Sequence, residues 1–230
     1  MHIGILQTGH VPDDLQADHG DYDSIFARFL DGYGFTFSNY PVVDMEFPES
    51  IEAAEGWLIT GSRHGAYEDH PWIGPLEAFI RDAYAAAVPL VGVCFGHQII
   101  AQALGGKVEK FDKGWAIGRQ IYRFDELGEL AVNAWHQDQV VERPKDARVI
   151  ASSPFCENAA LIYEDRAWTV QPHPEFTRSY LEGLVLTRGR GTVPDAILED
   201  ALEKLNLPVA TRKMADEIAA FFNKPRQIHV

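Results

Sequence analysis

The run Pro89-Leu90-Val91-Gly92-Val93 is apolar on both of its faces. A strand with one face in water alternates apolar and polar residues, so this run demands cover from above and below. Residues 95–104 follow at once with helical spacing and close on Gly105-Gly106. A doubly buried strand that runs into a helix is the building unit of a mostly parallel sheet flanked by helices, so the fold class is α/β. Cys94 stands at the junction.

Other segments repeat the pattern. Apolar runs at 3–7, 35–40 and 56–60 read as strands, and 21–33 and 75–87 as helices. Within the first helix Ile25, Phe26, Phe29 and Leu30 share a face, and Gly34 is its stop. The polar stretch 8–20 reads as a loop. From 107 to 171 the short runs 118–124, 132–135, 148–152, 159–163 and 167–171 are strand-like with few helices between them, which predicts a mixed later part of the sheet. Residues 175–188 and 195–223 return to helical spacing, with Pro208 dividing the second stretch. Leu198, Ala201, Leu202 and Leu205 form one apolar side of that tail and Met214, Ile218, Phe221 and Phe222 another, so the tail is expected to pack back on the body. A chain of 230 residues is expected to form one domain, 1–230.

Charge narrows the partners. Thirty-four acidic residues against twenty basic ones give a net charge of −14, which repels phosphate backbones and anionic lipid. Nucleic acid and membrane are therefore excluded as expected partners. No apolar run reaches the ~18 residues of a membrane span, and the start has no signal-peptide pattern. Two cysteines, Cys94 and Cys156, make no disulfide framework. A cytoplasmic location is expected.

Gly92-Val93-Cys94-Phe95-Gly96 has the form of a nucleophile elbow, where small residues flank a nucleophile on a tight turn between strand and helix. The helix start favours thiolate over thiol. Free cysteine is also a common core residue, so a partner is needed to decide. Gln171-Pro172-His173-Pro174-Glu175 supplies one: residues two apart in extended chain project to one side, so Glu175 can orient the His173 ring as general acid and base. Cys156 follows a turn beside an acid and reads as structural. His10, His19, His64, His70 and His97 read as surface or capping residues, and Arg63 as an exposed loop charge. No metal or organic cofactor is implied.

Taken together, Gly92-Val93-Cys94-Phe95-Gly96-His97-Gln98, His173-Pro174-Glu175 and the upstream Leu58-Ile59-Thr60-Gly61-Ser62 resemble the class I glutamine amidotransferases, the Cys-His-Glu glutaminases, over about 1–188. The resemblance implies a flavodoxin-like three-layer sandwich, with 189–230 as a helical extension. It implies Cys94 as nucleophile, His173 as acid and base, and Glu175 as orienting carboxylate. The N–H groups of Gly61 and Phe95 would form the oxyanion hole, at about 3 kcal/mol per donor. Gln98 would hold the substrate, and the backbone at Trp135 and His136 would grip its amino-acid end. The implied reaction releases ammonia from the glutamine γ-carboxamide through a γ-glutamyl thioester.

Two positions depart from the family. Thr60-Gly61-Ser62 stands where many members have Gly-Gly-Pro, and Trp135 replaces a small residue, where its indole would narrow or reshape the pocket. No phosphate loop for a synthetase is present. The implied partners are a small-molecule substrate and, in one reading, a separate synthetase subunit that takes the ammonia. The alternatives are an independent γ-glutamyl peptide or amine hydrolase, and a non-catalytic binding protein on the same fold.

Overall fold

Leu90–Val93, the run that constrains the fold most, is β4, and its residues are buried throughout the strand. The computed structural model describes residues 1–226. On one side β4 pairs in parallel with β3 (Gly56–Ile59), and beyond that lie β1 (His2–Leu6) and β2 (Thr36–Tyr40), also parallel. On its other side it pairs in parallel with β11 (Ala167–Val170). Four strands that follow β4 in sequence then extend the sheet antiparallel. These are β6 (Ala116–Phe124), β7 (Gly128–His136), β9 (Arg148–Ser152) and β10 (Ala160–Tyr163), and the full order is β2-β1-β3-β4-β11-β10-β9-β6-β7. The sheet is therefore mixed, with a parallel half that carries the site.

Helices cover both faces. On one, α3 (Ile73–Ala85) and α4 (Phe95–Ala103) bury Leu76, Ile80, Ile99 and Ile100 against Trp57, Ile59 and Leu90. On the other, α2 (Tyr22–Phe29) and α7 (Thr211–Asn223) place Phe26, Met214, Ile218 and Phe222 against Ile3, Ile5, Leu58 and Val91. The tail thus packs on the body as expected. Its other half, α6 (Asp195–Glu203), sets Leu198 and Ala201 against Ile117 and Val185.

Three expectations need correction. The stretch 8–20 is not all loop: Asp13–His19 is a short helix, α1. Pro12 precedes it and Asp13 and Asp14 occupy its first turn, where carboxylates suit the helix dipole, but a single buried apolar residue, Leu15, left no periodicity to read. Lys107–Lys110 (β5) and Asp138–Glu142 (β8) form a second, two-stranded sheet. In β5 only Val108 is buried, so its sequence has little apolar signal. The helix expected at 175–188 is α5 (Arg178–Leu184) followed by a π-helical turn, Val185–Gly189.

Candidate active site

Ile59, Gly92 and Thr169 lie side by side in register on β3, β4 and β11. Two residues further along each strand come Gly61, Cys94 and Gln171, so three sequence-distant segments converge at the carboxyl ends of adjacent strands, where ligands bind in parallel sheets.

Cys94 is the N-cap of α4 and adopts φ 54°, ψ −102°, a conformation side chains adopt at a cost of about 1–3 kcal/mol. The flanking glycines make the bend possible by close approach. A Cβ on Gly92 would meet the Gly96 carbonyl oxygen at 2.4 Å, and one on Gly96 would meet the Ile59 oxygen at 2.2 Å. Gly96 N–H also donates to the Thr60 carbonyl (3.1 Å), tying helix start to strand end. The Cys94 Sγ lies 4.0 Å from the Trp135 carbonyl oxygen.

His173 is buried and its Nδ1 lies 2.6 Å from Glu175 Oε1. In that contact Nδ1–H donates to the carboxylate, which leaves Nε2 for other work. Burial acts to lower the His173 pKa, but the neighbouring Glu175 and Cys94 and the hydrogen bond to Glu175 outweigh it and push it up to about 10. The ring stacks on Phe176, with centroids 3.9 Å apart and planes at 10°. Its backbone N–H donates to the Asn133 carbonyl of β7 (2.7 Å), and the Asn133 amide donates back to the Phe176 carbonyl (3.1 Å). Asn133 and Phe176 were not singled out in the sequence, although Phe176 lies three positions past the histidine.

Gly61 lies directly against this ring, since a Cβ there would be 2.8 Å from His173 Cε1. The carbonyl of the preceding peptide, Thr60 O, accepts from Gly96 N–H and from the Thr8 hydroxyl (3.0 Å). In a trans peptide the N–H points opposite to that carbonyl, so these two donors turn the Gly61 N–H the other way. Among the described residues, neither it nor the Phe95 N–H donates to a protein acceptor.

Two cavities meet at this point. The first, about 320 Å³, is lined by Cys94, Gln98, Trp135 and His136. The second, about 390 Å³, is lined by His173 and Phe176, and shares Ser62, Arg63, His64 and Trp135 with the first. Gln98 uses its amide N–H₂ on the Asp138 carbonyl (2.9 Å) and on Gln171 Oε1 (3.2 Å), which fixes its orientation. His136 is held to the Asp138 carbonyl (3.3 Å), and burial, then the His173 charge, lowers its pKa to about 3, so it is neutral. Trp135 borders both cavities, and its indole reaches to 3.4 Å from where a Cβ on Gly189 would stand.

The histidines divide. His97 is fully buried on Thr169 Oγ1 (2.8 Å), which corrects its reading as a surface or capping residue; the elbow turns position 97 into the core beneath β11. His64, Glu68 and His70 place potential ligand atoms within 4.8 Å of one another, His64 and Glu68 on the wall of the first cavity, with His70 Nε2 already 2.8 Å from Glu68 Oε2. Cys156 is buried, and burial pushes its thiol up to about 12, which suits a structural role.

The family model for glutamine amidotransferase class-I matches residues 36–188. The chain is 31% identical over 222 residues to gamma-glutamyl peptidase 4 of Arabidopsis thaliana, covering 90% of this chain and 88% of that one. It is 34% identical over 173 residues to a GMP synthase [glutamine-hydrolyzing] of Burkholderia mallei, covering 66% of this chain but 31% of the synthase. The solved glutamine amido transferase of Methylobacillus flagellatus shares the fold over the whole chain, with a TM-score of 0.76 at 23% identity. No helix among the described residues is long and apolar enough to cross a membrane. The chain belongs to the class-I glutamine amidotransferase family, a family of cysteine hydrolases.

Proposed function

We propose that residues 1–230 form one catalytic domain that hydrolyses γ-glutamyl amides through Cys94. The observation that carries this reading is the buried Cys94, His173 and Glu175 array, with the sulfur on the wall of one cavity and the imidazole on the wall of the other. Cys94 thiolate attacks the amide carbonyl, and the tetrahedral oxygen is received by the N–H groups of Gly61 and Phe95. The C–N bond breaks as His173 gives its proton to the departing nitrogen, which leaves a γ-glutamyl thioester and a neutral imidazole. Water then loses a proton to His173 and attacks the thioester. The C–S bond breaks, glutamate leaves, and the thiolate and imidazolium are restored. Gln98 and the backbone at Trp135 and His136 hold the glutamyl part in the first cavity.

A second reading is supported by the likeness to the synthase: the chain releases ammonia from glutamine for a separate acceptor subunit. The same residues serve both, and the leaving group distinguishes them. Release of glutamate from glutamine and from γ-glutamyl amides is compared for wild type and Cys94→Ala. Amide turnover that exceeds glutamine turnover and vanishes in Cys94→Ala supports the independent hydrolase. Turnover that survives in a folded Cys94→Ala or Cys94→Ser protein would remove the thioester from consideration.

A further inference from the structure

In sequence, His64 and His70 read as surface or capping residues, but the fold gathers them around Glu68. His64 Nδ1 lies 3.5 Å from Glu68 Oε2, and His70 Nε2 lies 2.8 Å from the same oxygen. The two imidazole rings stand edge to face, with centroids 4.3 Å apart. A hydrogen bond from His70 satisfies the carboxylate oxygen. It does not account for the approach of His64, whose 3.5 Å is beyond a good hydrogen bond. A shared metal ion does account for it, because donors at about 2.0–2.1 Å around tetrahedral zinc stand about 3.3–3.5 Å from one another.

Among the described residues no other three histidine, cysteine or carboxylate groups converge on one point in this way. His10 shows the contrast: it meets Asp21 (2.6 Å) and Asp44 (2.9 Å) through opposite ring nitrogens, an ion-pair bridge with no common centre. Two imidazoles and one carboxylate suit zinc, whereas magnesium and calcium favour oxygen donors throughout. Three protein donors leave the fourth position of the ion open.

The cluster is tied to the end of the sheet that carries Cys94. Its residues stand on the segment between β3 and α3, which also carries Gly61. His70 stacks on the buried Trp72 (centroids 5.9 Å apart, planes at 10°), and Trp72 packs on Phe95, the residue after Cys94 (5.4 Å). The Glu68 N–H donates to the Gly65 carbonyl (3.0 Å) and the His70 N–H to the Glu68 carbonyl (3.1 Å), which holds the side chains on a tight turn. His64 and Glu68 line the first cavity, of about 320 Å³, together with Cys94, Gln98 and His136. An ion on that wall takes up room and adds positive charge where the glutamyl part of the substrate must fit.

We propose that His64, Glu68 and His70 form a zinc site on the wall of the first cavity, and that the bound ion competes with substrate for that cavity. Zinc binding is independent of the hydrolase reading above; the competition rests on it.

Calorimetric titration with zinc chloride, in buffer containing excess magnesium, measures binding to the full chain in a Cys94→Ser background, which removes the competing thiolate. One ion per chain is expected, with affinity falling roughly tenfold or more in His64→Gln and in His70→Gln. Circular dichroism checks that each variant folds. Cobalt in place of zinc is expected to give the absorption of a tetrahedral site with nitrogen and oxygen donors and no sulfur. With Cys94 intact, zinc is expected to raise KM for a γ-glutamyl amide with little change in kcat, and EDTA to reverse the effect. His70 lines neither cavity, so metal-free His70→Gln keeps wild-type kcat/KM but needs roughly tenfold more zinc for the same inhibition. No zinc binding in Cys94→Ser, or an affinity unmoved by both histidine variants, would overturn the site. Inhibition of equal strength in wild type and His70→Gln would overturn the competition and trace the effect to the thiol. If no γ-glutamyl amide is turned over, the hydrolase reading falls and calorimetry alone decides the zinc site.

Discussion

Replacing Gly96 with alanine probes how closely catalysis depends on the seam between α4 and β3. The added Cβ would lie 2.2 Å from Ile59 O and 2.9 Å from Ile59 C, both backbone atoms of a fully buried strand held on each side by β1 and β4. The strand has nowhere to go, so the helix start must retreat by about 1 Å and loosen the bond from Gly96 N–H to Thr60 O. Overpacking of this kind costs about 1–3 kcal/mol and the weakened hydrogen bond about 1 kcal/mol. Alanine's better helix propensity offsets up to about 1 kcal/mol, which leaves a net loss of about 1–3 kcal/mol. The Phe95 N–H and the Cys94 sulfur ride on the displaced helix, and a misplacement of ~1 Å at a reacting centre costs about 100-fold in rate. Urea unfolding followed by tryptophan fluorescence, together with kcat/KM on a γ-glutamyl amide, measures both. Wild-type kcat/KM at wild-type stability would refute the argument outright, and full activity in a destabilised protein would refute its link between the seam and the chemistry.

Glu175→Gln removes the carboxylate that orients His173 and favours its protonated form, so kcat is expected to fall by about 10³–10⁴-fold, with a pH–rate profile displaced from that of wild type. An unaltered rate and profile would deny Glu175 its orienting role. The buried histidines predict opposite pH limbs. His97 and His136 have pKa values lowered to about 3, so the stability they contribute is present above pH 6.5 and is lost as pH falls toward 3. For His173, raised to about 10, the contribution is present below pH 6.5 and is lost as pH rises through 10. Urea midpoints between pH 3 and 8 should decline on the acid side, and less steeply in His97→Gln; an acid limb identical in that variant would count against the burial argument.

The inner strands of the parallel half, β3, β4 and β11, were legible because they are buried on both faces and each ends at a turn. The spacing of Gly92, Cys94 and Gly96 was enough to place a sharp bend, since backbone-to-backbone contact leaves no room for a Cβ at either glycine. His173 and Glu175 were legible because a two-residue offset in extended chain is a local rule. The groups that steady the site were not. Asn133 reaches His173 through a backbone carbonyl, and Thr8 fixes the Thr60 carbonyl from a distant loop, so neither depends on sequence spacing. The second cavity was also hidden, because its wall is assembled from α1, the Ser62–His64 segment, β7 and the π-helical turn. His97 misled for a related reason: a polar residue one turn into a helix reads as surface until the elbow rolls that face into the core.

The position of β11 has a consequence for how the chain is made. β4 is complete at residue 93, but its neighbour on one side is not complete until residue 170, with the antiparallel wing made in between. At ordinary synthesis rates β4, whose side chains are all apolar, waits roughly 4–15 s with one edge unpaired. Such an edge is a template for pairing with another chain until β11 covers it. The same closure delivers His173 and Glu175 beside the sulfur. The event that covers that edge is therefore also the one that completes the proposed array of Cys94, His173 and Glu175.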